Sequence, residues 1–400
     1  MEGGLNIRGP KRKKPLPWRL TKGILIAAAA LLLLAATPVC AVLAGTLYYK
    51  NHDAKAQAER VEMLRECYAS ADFTPVSEAD FTAFDLAEAL ESGVKLNEVQ
   101  FLATHNSYKQ RLSVPARLAL NYIGLPLGLV SEKDEFDYAF EPLTAQLDRG
   151  VRSLELDVMK DGEAFRVGHV GLLDMRSACP GLGLACREIA MWSRAHPGHL
   201  PITLLLEPKP SVMADGAAYR PFNLDGIAAL ESLLVREFGG MLLTPGEALG
   251  DYESFGALRR DNGWPRLRDL LGRVLVLYHY DDATTADYIA LDPSLRAQKM
   301  FPALWYPLVE DADTEYAGFV LCNEPLDYAA EIAAFTAQNL LVRTRVDMFM
   351  HHDPQAYALG VRSGALLLTT DYPPRDGPGE DPYTATLENG YTIRLRGELP

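Results

Sequence analysis

Two histidines, three carboxylates and one amide stand at the ends of short apolar runs in this chain. Phe101-Leu102-Ala103-Thr104 leads into His105-Asn106-Ser107-Tyr108, and Val151-Arg152-Ser153-Leu154 leads into Glu155-Leu156-Asp157-Val158. Phe165-Arg166-Val167-Gly168 delivers His169, and the run 201–206 delivers Glu207-Pro208-Lys209. Glu155 and Asp157 are two apart, so on a strand their side chains share one face. Carboxylates forced together repel unless a cation lies between them or one keeps its proton. Glu207 and the amide oxygen of Asn106 would complete an all-oxygen shell, and hard donors without sulfur favour Ca²⁺ or Mg²⁺ over zinc. His105 and His169 supply the side chains that titrate nearest neutral pH. Lys209 and Arg343 offer positive charge to a phosphoryl oxygen. The pattern is that of metal-assisted acid–base chemistry. His196 and His199 fit a turn before the next strand, and His351, His352 and Asp353 read as loop residues.

Groups like these must be held at one edge of a sheet. Strands are expected at 98–104, 151–158, 165–169, 201–207, 273–278, 318–322, 340–346 and 365–370, with helices at 185–195, 224–238 and 327–338. His279, Asn323, Arg343, Asp347 and Asp371 fall at or near the ends of the later strands. Eight strands separated mostly by helical segments predict an α/β fold, a distorted (β/α)8 TIM barrel with its chemistry at the C-terminal strand ends. The connection after the second strand is too short for a helix, so irregularity is expected there. The chain has no GxSxG, HExxH or GxxxxGK[ST] motif, which disfavours a serine hydrolase, a zinc protease and a P-loop enzyme.

The 400 residues carry a net charge of −14, but residues 1–22 hold seven basic side chains and a single acid. The body is correspondingly acidic, which argues against a nucleic-acid partner. Residues 23–48 contain no charge and are dominated by Ala and Leu, long enough for a transmembrane helix across a roughly 30 Å hydrocarbon layer. The basic cluster before it predicts a cytoplasmic tail and an extracellular body. Cleavage as a signal peptide near Ala44 would instead give a secreted body. The expected organisation is a basic tail at 1–22, a single-pass cell-membrane anchor at 23–48, a helical stalk at 49–95 and the catalytic domain at 96–400. Outside the cell Cys67, Cys179, Cys186 and Cys322 are free to form disulfides, with Cys179–Cys186 the favoured pair.

The Thr104-His105-Asn106-Ser107-Tyr108 patch, Glu155-Leu156-Asp157-Val158, and His169 after Arg166-Val167-Gly168 resemble the calcium-dependent phosphoinositide-specific phospholipase C family. The stretch 192–202 before Glu207-Pro208-Lys209, Val342-Arg343-Thr344-Arg345, and Leu368-Thr369-Thr370-Asp371-Tyr372-Pro373 are similar to it as well. The resemblance covers roughly residues 95–375. It implies a distorted TIM barrel that cleaves the glycerol–phosphate bond of phosphatidylinositol at a membrane surface. It maps His105 and His169 to the catalytic histidines and Asn106, Glu155, Asp157 and Glu207 to the Ca²⁺ ligands. Lys209, Arg343 and Asp371 are then expected to touch substrate. The implied reaction is attack of the inositol 2-hydroxyl on phosphorus, with Glu155 or another metal-bound carboxylate taking the proton and diacylglycerol leaving. Two other readings stay open on the residues alone: a glycerophosphodiester phosphodiesterase on the same barrel, and an inactive membrane-tethered binding protein. The first usually carries His-Arg-Gly where this chain has His105-Asn106-Ser107.

Overall fold

The computed structural model describes residues 18–128, 136–169, 175–209, 223–279, 283–308, 314–376 and 383–397. Among these are eleven strands: β1 (Val99–Thr104), β2 (Ser153–Asp161), β3 (Ala164–Val167), β4 (Ile202–Pro208), β5 (Leu242–Leu243), β6 (Val274–His279), β7 (Phe301–Trp305), β8 (Phe319–Leu321), β9 (Leu341–Arg345), β10 (Leu367–Thr370) and β11 (Ile393–Leu395). Strands β1, β2, β4, β6, β7, β8, β9 and β10 pair in parallel around a closed ring, because β1 joins both β10 and β2. This is the expected eight-stranded barrel, reached with one strand exchanged. The run around Phe165 becomes β3, which pairs antiparallel with β2 outside the ring. Gly162, at φ 61°, and Glu163 make too tight a connection for the crossover that a parallel neighbour requires. The strand missing from the expectation is β7, a short run containing Pro302 and followed closely by Pro307. Proline lowers any strand assignment because it cannot donate to the ladder.

Alternation along each strand sorts the two faces. Leu154, Leu156, Val158, Leu204, Leu206, Val276 and Tyr278 pack with the helices Leu182–Ala195 and Leu224–Phe238 on the outside of the ring. Phe101, Ala103, Leu205, Leu275, Leu277, Phe301, Phe319, Leu341 and Leu367 pack together on the other face, filling the barrel. Two residues further along the inward rows stand Glu207 after Leu205, His279 after Leu277, and His105 after Ala103. The apolar plug therefore forms the floor under a polar mouth.

Residues 18–69 form one helix, α1 (Trp18–Ala69), which contains the uncharged segment 23–48. Among the described residues no helix is long and apolar enough to cross a membrane. The basic tail up to residue 17 and residues 129–130 lie outside the described residues. The second half of α1 docks on the barrel. Arg60 Nε and Nη2 donate to Glu188 at 3.0 and 2.9 Å, Gln57 exchanges two hydrogen bonds with Gly181, and Arg176 grips Asp53 with two contacts of 3.0 Å. The Glu188 side chain is fully buried, so Arg60 is the group that keeps its charge tolerable. Arg60→Ala should cost about 3 kcal/mol in a urea titration, and adding Glu188→Leu should recover most of it, since an unpaired buried charge is worse than none.

Cys179 and Cys186 are both free and buried, which corrects the expected disulfide; Cys322 is also free and buried, and Cys67 is free and exposed. Cys179 and Cys186 pack as apolar groups in the outer core, and burial pushes both thiols up, out of the reactive range.

Candidate active site

Strand β2 places Glu155 and Asp157 on the inward face, and β4 sets Glu207 directly opposite Asp157. One oxygen from each of the three carboxylates lies within 4.8 Å of the others. Asp157 is fully buried, and neither of its oxygens has a hydrogen-bond partner. Its nearest cation is Lys209 Nζ, 3.4 Å from Oδ2, which also pairs with Glu207. Arg343 pairs with Glu155 and Asn323 and donates from Nε to Thr369 Oγ1 at 2.9 Å. Lys209 and Arg343, expected to face a phosphoryl oxygen, thus brace the carboxylates here. Burial raises Asp157 well above the usual carboxylate range, reinforced by Glu207 and by Glu155. Burial works in the same direction on Glu207, but His279, Lys209 and His105 outweigh it and hold that group down at about 2.

Asn106 sits beside this cluster, buried and at φ 49°, a left-handed conformation that Asn tolerates better than most residues. Ser107 fixes the turn by donating its N–H to the Glu155 carbonyl at 2.9 Å and accepting the Glu155 N–H at 2.8 Å. The Asn106 amide donates to the Tyr138 hydroxyl at 3.0 Å, while its oxygen accepts from Tyr108 at 3.1 Å. Three carboxylates against two cations leave excess negative charge, and two buried Asp157 oxygens lack a donor. A divalent cation bound by Glu155, Asp157, Glu207 and the Asn106 oxygen fits both facts.

The second feature of the mouth forms where β10 meets β1. Asp371 Oδ1 lies 2.9 Å from His105 Nδ1, and its Oδ2 accepts from Arg345 Nη2 at 3.2 Å and from the Met350 N–H at 3.1 Å. Arg345 Nη2 also lies 3.3 Å from His105 Nδ1. Burial lowers the His105 pKa from its ordinary 6.5, and the Arg345 charge adds to this; Glu155 and Asp371 oppose it. Asp371 is held at about 2, because Arg345 and His105 overcome the burial that would raise it. Asp347 braces the same corner by accepting from the Thr370 hydroxyl and the Asp371 N–H, each at 2.5 Å. Burial and the Asp371 charge push Asp347 up to about 7.

His169 reaches the mouth by another route. The β2–β3 hairpin carries it back along β2, where the Gly168 N–H donates to the Asp157 carbonyl at 3.2 Å. Its ring lies 5.8 Å from that of Phe136. The site also contains groups that the sequence reading did not assign: Arg345 on His105, and His279 electrostatically facing Glu207. Each is two residues beyond an inward residue of its strand, Arg343 and Leu277 respectively, so strict alternation was the available signal.

No curated protein matches the sequence. Solved structures that share the fold include two bacterial enzymes. One is a calcium-dependent phosphoinositol-specific phospholipase C from a Gram-negative Pseudomonas species, 20% identical over 80% of this chain and 100% of that one, with a TM-score of 0.54. The other is a Ca²⁺-dependent phosphatidylinositol-specific phospholipase C from Streptomyces antibioticus, 20% identical over 70% of this chain and 95% of that one, with a TM-score of 0.50. The model of the Ca²⁺-dependent phosphoinositide phospholipase C family matches residues 94–164 and 162–397, a span holding every catalytic, metal and substrate residue expected above. A closed parallel barrel, a carboxylate cluster suited to a divalent cation and this match together make the chain a member of the Ca²⁺-dependent phosphoinositide phospholipase C family, whose enzymes are phosphodiesterases.

Proposed function

We propose that this chain cleaves phosphatidylinositol-type lipids into diacylglycerol and a cyclic inositol phosphate. The observation that carries the reading is the pairing of His105 with Asp371 beside three converging carboxylates. Glu155, Asp157, Glu207 and Asn106 would hold the Ca²⁺, which would supply positive charge toward the phosphoryl oxygens and the inositol 2-hydroxyl when bound. His105 rests neutral, with Nδ1–H donating to Asp371 and Nε2 left to receive the 2-hydroxyl proton. Arg343 pairs with Glu155 and commits it to the cluster, which favours the imidazole over that carboxylate as the proton acceptor. The new bond joins the 2-oxygen to phosphorus, the bond from phosphorus to the glycerol oxygen breaks, and His169 supplies a proton to that departing oxygen while His105 keeps the one it received. Incubation of the full chain with phosphatidylinositol should release 1,2-cyclic inositol phosphate with Ca²⁺ and none with chelator. Release of free inositol with phosphatidate left behind would instead support the glycerophosphodiesterase reading.

The depressed His105 pKa fixes the sign of one pH effect. A base that must be neutral stays competent below 6.5, so the acid limb of kcat/KM should have its midpoint under that value. Arg345→Gln removes one cause of the depression and should move the midpoint upward in a pH–rate profile.

Membrane anchorage by residues 23–48 belongs to the same reading, with the tail at 1–22 cytoplasmic, residues 49–95 a helical connection packed on the barrel instead of a free stalk, and the catalytic domain at 96–400 extracellular. Support comes from the uncharged sequence and from packing beside the mouth. Val42 of α1 packs with Leu112, Ala116 and Leu120, and Val114, Leu118, Tyr122 and Leu127 stay exposed next to it. These apolar side chains would meet the same lipid surface as the segment 23–48.

A further inference from the structure

Helix α1 presents one unbroken stripe to the barrel. Val42, Gly45, Tyr49, Asp53, Gln57 and Arg60 recur every three or four residues, so they share a single face, which continues through Leu64 to Tyr68. The stripe runs from the mouth to the base. At the mouth Val42 packs on Leu112, Ala116 and Leu120. Gly45 passes so close to the helix Val114–Ala119 that a Cβ there would lie 3.1 Å from Ser113 Oγ. The Tyr49 ring lies 4.0 Å from the Arg176 guanidinium, and Lys50 Nζ lies 3.7 Å from Asp161, the last residue of β2. Further down, Gln57 meets Gly181 at the start of the helix Leu182–Ala195, and Arg60 meets Glu188 within it. At the base the Tyr68 ring lies 6.0 Å from that of His196, beyond the end of that helix and ahead of β4. The two helices therefore descend side by side, both with their N-termini toward the mouth. From Val42 to Tyr68 the seam is roughly 39 Å long at 1.5 Å per residue.

A helix fixed in this way leaves the barrel at its mouth. The uncharged segment 23–48 continues α1 past the same edge that carries His105 and the three carboxylates. Pro38 lies above the seam, where a proline kink tilts the upper helix without reversing its course. Val42 lies roughly 9 Å inside the end of the uncharged segment by helical rise. That depth puts Val114, Leu118, Tyr122 and Leu127, each at least half exposed, at the boundary of headgroups and acyl chains. A flexible tether would let the barrel face any membrane within reach, and the seam removes that freedom. Resting on the anchorage and lipase readings above, we propose that α1 is a rigid bracket that holds the mouth down on the bilayer it crosses. The chain then acts on inositol lipids of its own outer leaflet and is barred from those of an apposed membrane.

The test reconstitutes the full chain, with Ca²⁺, into phosphatidylcholine vesicles and supplies labelled phosphatidylinositol either in the same vesicles or in separate ones. A second protein carries about 20 Gly/Ser residues inserted between Tyr48 and Tyr49, a tether with a root-mean-square reach of roughly 25 Å that leaves the contacts below it in place. The parent should cleave lipid in its own vesicles, with a rate on the separate vesicles at or below about one hundredth of that. The insertion should raise the separate-vesicle rate at least about tenfold. Both proteins should be equally active in detergent micelles, which separates loss of the bracket from loss of the fold. A second reading needs no turnover: Leu118→Trp should add fluorescence that is quenched by phosphatidylcholine brominated on its acyl chains. If phosphatidylinositol is untouched even in micelles, the lipase reading fails and the quenching alone decides the bracket. If alkaline extraction frees the chain from the vesicles, the anchorage reading fails and the bracket with it. Equal parent rates on the two vesicle populations, a separate-vesicle rate that the insertion leaves unchanged, or no quenching in Leu118→Trp would overturn the proposal.

Discussion

His105→Ala should lower turnover of phosphatidylinositol by roughly 10²–10⁴-fold, the usual worth of a positioned acid–base group, while vesicle binding stays within about twofold of the parent. The geometry isolates the effect. His105 is held through Nδ1 by Asp371, whose other oxygen is bound by Arg345 and the Met350 N–H. The imidazole is thus fixed in one orientation before substrate arrives, with Nε2 directed away from Asp371. Asp371→Asn should retain the contact but favour the wrong tautomer, giving a smaller loss that is confined to kcat. Single-turnover kinetics beside a sedimentation assay for vesicle binding would check both variants. Full activity in His105→Ala would remove the imidazole from the reaction.

Chelation should abolish activity, and Asp157→Asn should make the chain insensitive to Ca²⁺ in a measurement that needs no substrate. Ca²⁺ at about 100 times its dissociation constant stabilises a protein that binds it only when folded by about 2.7 kcal/mol. For a domain of this size that raises the melting temperature by about 4 °C. Asp157 is the ligand to change because it is fully buried with both oxygens lacking hydrogen-bond partners. Lys209 and Arg343 already pair with Glu207 and Glu155, leaving Asp157 as the least compensated charge. The variant should melt at the same temperature with Ca²⁺ and with EDTA. A parent protein whose melting temperature ignores Ca²⁺ would refute the metal site independently of any assay of catalysis.

The chemistry was legible in the chain because metal ligands and imidazoles cannot be disguised, and because strands advertise themselves by apolar runs of fixed length. Glu155 and Asp157 could be assigned to one face from their spacing alone, since a strand alternates strictly. Eight apolar runs match eight barrel strands only because the antiparallel hairpin strand β3 stands in the expectation where the ring has β7, which Pro302 interrupts. His169 reaches the rim all the same, because the hairpin returns it along β2 instead of giving it a place in the ring.

Residue type and local period thus determined which groups the mouth would contain and that a parallel barrel would gather them. Only the closed structure decided who meets whom: His105 with Asp371 across 266 residues, Arg343 with Glu155, and Lys209 with two carboxylates. Those partnerships depend on the register between strands and on the seam where β1 joins β10. Packing of the whole core sets both, so no short stretch of sequence encodes them.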